Sequence, residues 1–183
     1  MKFFSLSEFE HSLTAALKGY DNEAPREAKR NIEHLVDTVL DPLREYLGSP
    51  IVITSGYRCR DLNNDVGGSP TSQHLLGLAA DFRPNYTNPD EMADRMNRIR
   101  RWFKERLSDY QTNRLADESP GNGSDAEALS ESLKVCKSES LKEAWDQMID
   151  YGTFFHVGVR PEGSTNRFQL LKWNSFGQGY KRD

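Results

Sequence analysis

The segment SQHLLGLAADF, residues 72 to 82, contains the features that decide both the fold and the site. It follows a loop rich in Gly, Ser and Pro, and its second half is a run of small and apolar residues that predicts a short buried strand. His74 lies at the mouth of this run, and Asp81 interrupts it. An isolated carboxylate among buried apolar residues is unfavourable unless it is paired or bound to a metal. The segment therefore predicts a site that includes His74 and Asp81.

A second histidine lies in a similar environment near the end of the chain. His156 interrupts the apolar segment FFHVGV, residues 154 to 159, which also predicts a strand. Alone, it could be a neutral core histidine held by a hydrogen bond. Together with His74 and Asp81 it would supply two imidazoles and one carboxylate, which leave a fourth tetrahedral position open for water at a catalytic zinc ion. Amide hydrolysis is the chemistry expected of such a site.

The order of predicted elements indicates an α+β protein with a small antiparallel sheet flanked by helices. Helices are predicted where apolar residues recur at helical spacing or where strong start signals occur: 5–18, 25–47 with a break or kink at Pro42, 60–66, 88–107 and 166–171. Strands are predicted at the β-branched or apolar runs 51–54, 78–82, 145–149 and 154–159.

One segment differs in composition from the rest of the chain. Residues 111–132 are rich in Ser, Asn, Asp, Glu and Gly and contain almost no large apolar residues, so they predict a polar, flexible insert. The chain has 183 residues, which is enough for one domain with a substantial core. We therefore predict a single domain over residues 1–183, interrupted by this insert.

Charge and hydropathy exclude several classes of protein. The chain has 24 basic and 28 acidic residues, a net charge of −4, which argues against nucleic-acid binding through a basic surface. No apolar segment is close to the length of about 20 residues that is needed to span a bilayer. Residues 1–9 lack the basic, apolar and cleavage regions of a standard secretory signal. We expect a cytoplasmic protein, or one released to the cell wall by a phage-type lysis route.

Several short motifs occur together in a specific order. They are SGYR (55–58), LN (62–63), VGG (66–68), SQH (72–74), GxAxD (77–81), WDQ (145–147) and FHV (155–157). In this combination they resemble the M15 zinc peptidases, over about residues 25–171. That family includes D-alanyl-D-alanine carboxypeptidases, dipeptidases and phage L-alanyl-D-glutamate endolysins, and it shares its fold with the Hedgehog signalling domain.

The resemblance implies roles for individual residues. The zinc ligands of the family fall on His74, Asp81 and His156, and its characteristic arginine falls on Arg58. In the family this arginine binds substrate and stabilises charge on the tetrahedral intermediate, whereas a structural salt bridge is the alternative for Arg58. Ser72 and Gln73 would support the loop or contact substrate.

One position departs from the family pattern. The family usually has an acidic general base three residues before its last histidine ligand, and that position is Thr153 here. A threonine hydroxyl cannot accept a proton from zinc-bound water near neutral pH. Asp150 is the nearest carboxylate and is the candidate base, provided that the turn folds toward the metal. Asp146 is expected to have a structural or supporting role.

The sequence leaves more than one function open. The first is a zinc peptidase acting on peptidoglycan stem peptides or cross-bridges, expected to be a monomer. The second is a zinc-binding module that recognises the cell wall and has weak or lost catalysis, which the residue Thr153 motivates. A structural zinc in a signalling-type domain is a third.

Overall fold

The computed structural model describes residues 1–118, 145–162, 164, 167–173 and 180–182. These residues contain six α-helices and six strands. The helices are α1 (Leu6–Glu10), α2 (Leu13–Lys18), α3 (Arg26–Leu35), α4 (Asp41–Leu47), α5 (Arg60–Asp65) and α6 (Pro89–Glu118). The strands are β1 (Ile51–Ser55), β2 (Ala79–Pro84), β3 (Gln147–Asp150), β4 (Phe155–Gly158), β5 (Gln169–Trp173) and β6 (Tyr180–Arg182). The α+β class is confirmed.

Two serine caps divide the predicted N-terminal helix into α1 and α2. The Glu8 carboxylate accepts a hydrogen bond from the backbone N–H of Ser5 at 2.8 Å, as in a capping box. Ser12 then starts α2, since its hydroxyl accepts the backbone N–H of Ala15 at 3.3 Å. Phe9 is fully buried and anchors α1 to the core. The chain consequently turns at His11 and Ser12, and this turn lies beside the end of β1.

The helix predicted from Pro25 kinks where proline requires it. A π-helical turn, Val36–Leu40, separates α3 from α4, and Pro42 occupies the first turn of α4. Proline lacks an N–H and its ring clashes with the preceding helical turn, so a widened turn at this point relieves the conflict. The buried residues of this bent helix belong to the hydrophobic core.

The six strands form one mixed sheet in the order β1-β2-β4-β3-β5-β6. All neighbouring pairs are antiparallel except β3 and β5, which are parallel, so the expected purely antiparallel sheet is wrong at this pair. Asp81 is opposite His156, and His156 is opposite Ile149. Residues directly opposite in a ladder share a face. The strand register therefore places Asp81 and His156 side by side.

The other face of the sheet holds the main core under α6. Phe82 and Phe155 point to this face with ring centroids 5.6 Å apart, and both are fully buried. From α6, Trp102 and Phe103 pack edge-on to each other and against Trp145, with centroid distances of 4.8, 6.3 and 5.0 Å. No helix among the described residues is long and apolar enough to cross a membrane.

Two secondary-structure predictions require correction. Residues 111–118, predicted as part of a flexible insert, continue α6, because the sequence has no proline or glycine to end the helix before Pro120. Residues 119–132 lie outside the described part. The helix predicted over 166–171 is also wrong, since Gln169–Trp173 is a strand paired with β3. Pairing with an open strand edge outweighs the helical propensity of Gln-Leu-Leu-Lys.

Candidate metal centre

His74 is held by a short 3₁₀ helix, Gln73–Leu76, between a serine cap and a glycine. The Ser72 hydroxyl accepts the backbone N–H of His74 at 3.4 Å. Gly77 ends the turn in the left-handed region, with φ +70°. A Cβ atom at this position would lie 2.5 Å from the carbonyl oxygen of Ala28 in α3. Glycine is therefore required for the turn to pack against α3 and for His74 to be placed.

Asp81 and His156 come from adjacent strands. Because β2 and β4 pair with these two residues opposite each other, their side chains meet on one face, and Asp81 Oδ1 lies 2.8 Å from His156 Nδ1. His74 Nε2 lies 3.4 Å from the same Asp81 oxygen and 3.3 Å from His156 Nδ1. One possible ligand atom from each of the three residues lies within 4.8 Å of the other two. The three residues predicted as ligands thus form a group that could hold a metal ion.

A backbone contact sets the tautomer of His74. Its Nδ1 lies 2.6 Å from the carbonyl oxygen of Gly56, which can only accept, so Nδ1 carries the proton and donates it. Nε2 is then left with a lone pair directed at Asp81 and His156. A histidine that donates one ring N–H to a backbone carbonyl and presents the other nitrogen is typical of metal ligands. The donor set therefore fits a metal ion.

Burial and hydrogen bonding favour the protonation states that a metal needs. Burial lowers the pKa of His74, so its imidazole is neutral. Burial acts to raise the pKa of Asp81, but the hydrogen bond from His156 outweighs this effect, and the pKa lies below its usual range. An ionised carboxylate beside a neutral imidazole is the form in which these groups coordinate metals.

Arg58 connects the metal-binding group to the end of β1. Its Nη2 donates to Asp81 Oδ2 at 2.8 Å, and its Nε donates to the Ser55 hydroxyl at 2.9 Å. One oxygen of Asp81 is thus held by the guanidinium, whereas Oδ1 faces the two histidines. Arg58 thus forms a salt bridge, the structural alternative predicted for it, and its partner is a member of the metal-binding group.

Gln73 ties the His74 turn to the strand that bears His156. Its Nε2 donates to the carbonyl oxygen of Val159 at 3.1 Å and lies 3.5 Å from Asp146 Oδ2. A Cβ at Gly158 would lie 2.3 Å from Gln73 Oε1, so glycine makes room for this side chain. The contacts of Gln73 and the cap of Ser72 are internal, which matches loop support, one of the two roles predicted for them.

Asp146 is a buried anchor next to this contact. Its carboxylate accepts hydrogen bonds from Arg160 Nε at 2.9 Å, and from Arg167 through both its backbone N–H at 3.0 Å and its guanidinium. Burial opposes ionisation, but the hydrogen bonds from Arg167 and Arg160 outweigh it, and the pKa of Asp146 is lowered. The residue therefore joins β3 to the segments after β4, as a structural role requires.

Asp150 lies away from the metal-binding group. It is the neighbour of Ile149 on β3, and Ile149 is opposite His156, so alternation along the strand turns Asp150 to the α6 face. There its carboxylate pairs with Arg100 through Nε at 2.6 Å and Nη2 at 3.2 Å. Thr153 is exposed in the turn between β3 and β4. This placement does not support the predicted role of Asp150 as general base.

Sequence reasoning did not find two supporting residues. The first is Gly56, whose carbonyl holds His74 and whose missing side chain lets Phe9 approach, since a Cβ would lie 2.5 Å from the Phe9 oxygen. The second is the buried Asn22, whose amide binds the Tyr57 carbonyl at 3.2 Å and the Cys59 N–H at 2.7 Å. The glycine of the SGYR motif could have indicated Gly56, whereas no feature of the sequence indicates Asn22.

A family model described as Peptidase M15 matches residues 2–112, more than half of the chain. The chain belongs to the Peptidase M15 family. The matched span contains Arg58, His74 and Asp81, and β4 adds His156 from outside it. No curated protein matches the chain. Membership of the M15 family, together with the His-Asp-His group, supports a hydrolase of the metallopeptidase class.

The link between Gln73 and the β4 end predicts an effect on metal affinity. Replacing Gln73 by Ala removes the contacts to Val159 and Asp146. The distance between His74 and His156 is then no longer fixed by this link. We expect zinc affinity, measured by competition with a chromophoric chelator, to fall about tenfold or more. Gln169→Ala is the control because, among the described residues, the Gln169 side chain has one hydrogen bond, a 3.5 Å contact with Gln147 on the same sheet. Equal affinities of the two variants would contradict this role.

The Asp150–Arg100 pair predicts a loss of stability rather than of metal binding. Asp150→Asn weakens an ion pair that is nearly buried on the carboxylate side and should lower the free energy of unfolding by about 2 kcal/mol. Zinc affinity should stay within twofold of that of the unaltered protein. Urea unfolding and chelator competition measure the two quantities. A variant of unchanged stability that no longer hydrolyses substrate would instead support the general-base role.

Proposed function

We propose that this protein is a zinc-dependent metallopeptidase that hydrolyses an amide bond in peptidoglycan peptides, of the D-Ala-D-Ala or L-Ala-D-Glu type. The observation that carries the proposal is the convergence of the side chains of His74, Asp81 and His156 in a chain of the M15 family. We further propose that the chain forms one monomeric M15-like domain with the Hedgehog/DD-peptidase fold. Its place of action would be the cytoplasm or, after phage-type release, the cell wall.

His74, Asp81 and His156 would hold the zinc ion. Two nitrogens and one carboxylate oxygen are the ligand set of open catalytic zinc sites, whereas closed structural sites are usually rich in cysteine. When bound, zinc lowers the pKa of a water molecule and polarises the carbonyl of the scissile amide. Cysteine is absent from the observed group. This donor chemistry favours a hydrolytic zinc site over a purely structural one.

The side chain of Arg58 would act on the substrate. Its Nε and Nη2 are held by Ser55 and Asp81, so the guanidinium plane is fixed before substrate binds. Nη1 donates no hydrogen bond to any residue that the structure describes. A fixed cation beside the reacting carbonyl stabilises negative charge on the substrate without having to reorganise.

A second candidate function is recognition of the cell wall without efficient catalysis. Thr153 occupies the family position of the acidic base, and Asp150 is paired with Arg100 on the other face of the sheet. Apart from Asp81 in the metal-binding group, no carboxylate among the described residues is then assigned as the general base. A module that binds zinc and peptide but turns over slowly would have these features.

Hydrolysis of purified peptidoglycan with and without a chelator distinguishes the two candidates. For the peptidase, we expect one zinc ion per chain, release of new amino groups, and loss of that release when the chelator removes zinc. His156→Ala should lose both zinc and activity. Stoichiometric zinc without any release of amines would contradict the peptidase and favour the recognition module. A metal content far below one ion per chain would contradict both.

The geometry of Arg58 predicts that lysine cannot replace it. An ammonium group cannot hold Ser55 and Asp81 and still present a donor to substrate. Arg58→Lys should lower kcat/KM by about 100-fold while zinc content stays at one ion per chain. Arg60→Lys, at an exposed position on α5, is the control and should be unaffected. Unchanged kcat/KM in Arg58→Lys would limit Arg58 to a structural role.

A further inference from the structure

An open cleft begins at Arg58 and runs away from the metal-binding group. Its volume is about 400 Å³, within the range of small-molecule sites. The floor is the end of β1 and the SGYR motif, with Thr54, Ser55 and Tyr57. The turn between α1 and α2 with the start of α2 (residues 11–14), and Leu62 and Val66 in and after α5, complete the lining. Arg58, which lines the cleft, also contacts Asp81, so the cleft adjoins the candidate metal centre at this residue.

The electrostatic character of the cleft favours an anion. Arg58 carries the only permanent charge among the described residues that line it, and the other polar groups are hydroxyls and the imidazole of His11. Asp65, at the outer end next to Val66, is paired with Lys18 at 3.1 Å. Nε and Nη2 of Arg58 are held by Ser55 and Asp81, so a carboxylate entering the cleft would meet Nη1 and the hydroxyls as donors. It would meet no carboxylate among the described lining residues.

The rim of the cleft is apolar and exposed. Leu13 on α2 is 67% exposed and Val66 after α5 is 49% exposed, and both line the cleft. Exposed leucine and valine beside a polar floor offer contacts for small aliphatic groups such as alanine methyls. The opening thus combines a recognition element for carboxylate with one for small apolar side chains.

We propose that this cleft binds the acidic, alanine-containing part of the peptide substrate, with Leu13 of the α1–α2 unit as a determinant of specificity. A substrate carboxylate would bind Arg58 and the hydroxyls of the floor, and methyl groups would pack between Leu13 and Val66. The proposal rests on the proposed function for the identity of the peptide. It adds that the N-terminal helices form one side of the binding site, through side chains that contribute little to the core.

Two aspartate substitutions on one helix test the proposal. Leu13→Asp places a negative charge on the rim, whereas Leu17→Asp places the same charge one turn further along α2, at a residue that is 79% exposed and outside the cleft lining. The zinc-loaded full chain is titrated at low temperature with a synthetic peptide that contains L-Ala-D-Glu and D-Ala-D-Ala. A second peptide has every carboxylate converted to carboxamide. Thermal unfolding checks that both variants fold.

We expect Leu13→Asp to raise the Kd of the carboxylate peptide at least fivefold and Leu17→Asp to change it less than twofold. The carboxamide peptide should bind the unaltered protein at least tenfold more weakly. It should distinguish the two variants less than the carboxylate peptide does, because only the lost apolar contact with Leu13 remains. If Leu13→Asp and Leu17→Asp bind the carboxylate peptide equally well, or if the carboxamide peptide binds as tightly as the carboxylate peptide, the cleft proposal is overturned.

Hydrolysis is followed in the same samples so that the two proposals fail separately. Hydrolysis of the peptide with no difference between Leu13→Asp and Leu17→Asp would overturn the cleft and leave the peptidase intact. The expected difference in Kd without any hydrolysis would support the cleft and contradict the peptidase. If the carboxylate peptide does not bind at all, the cleft proposal is overturned directly.

Discussion

The contact between Asp81 and His156 across β2 and β4 is the interaction on which the rest of the site depends. It arises from strand register, since the two residues are directly opposite and their side chains emerge on one face, 2.8 Å apart. A shift of one residue would send either side chain to the opposite face. His74 and Arg58 are then added from outside the sheet, and both bind the carboxylate that the register has placed.

The surrounding structure holds the His74 turn in place relative to the sheet. Gly77 lets the His74 turn approach α3, and Gly56 supplies the carbonyl that sets the tautomer of His74. Gln73 connects the same turn to the end of β4. Each support holds one ligand relative to another, so the group can exist before a metal binds. Such preorganisation lowers the cost of ordering the ligands and raises metal affinity.

Much of the site could be predicted from the sequence because its polar residues interrupt apolar segments. Asp81 was recognisable as a carboxylate in an apolar strand, and His156 stood out in the same way. The face occupied by Asp150 was not predictable, because it depends on whether Asp150 or Ile149 aligns with His156, and a difference of one residue reverses it. The strand β5 was missed because its partner edge on β3 exists only in the folded sheet. The polar composition of residues 111–118 is typical of a loop, but no helix breaker precedes Pro120, and α6 therefore continues to Glu118.

The central claim is that His74, Asp81 and His156 together bind one zinc ion, and X-ray absorption at the zinc edge tests it most directly. Protein loaded with one zinc ion per chain should show two imidazole nitrogens at about 2.0–2.1 Å and light oxygen ligands completing a coordination number near four. The imidazole scattering should fall by half in His74→Ala or His156→Ala. A spectrum with sulfur ligands, with oxygen ligands alone, or with no change in these variants would contradict the account.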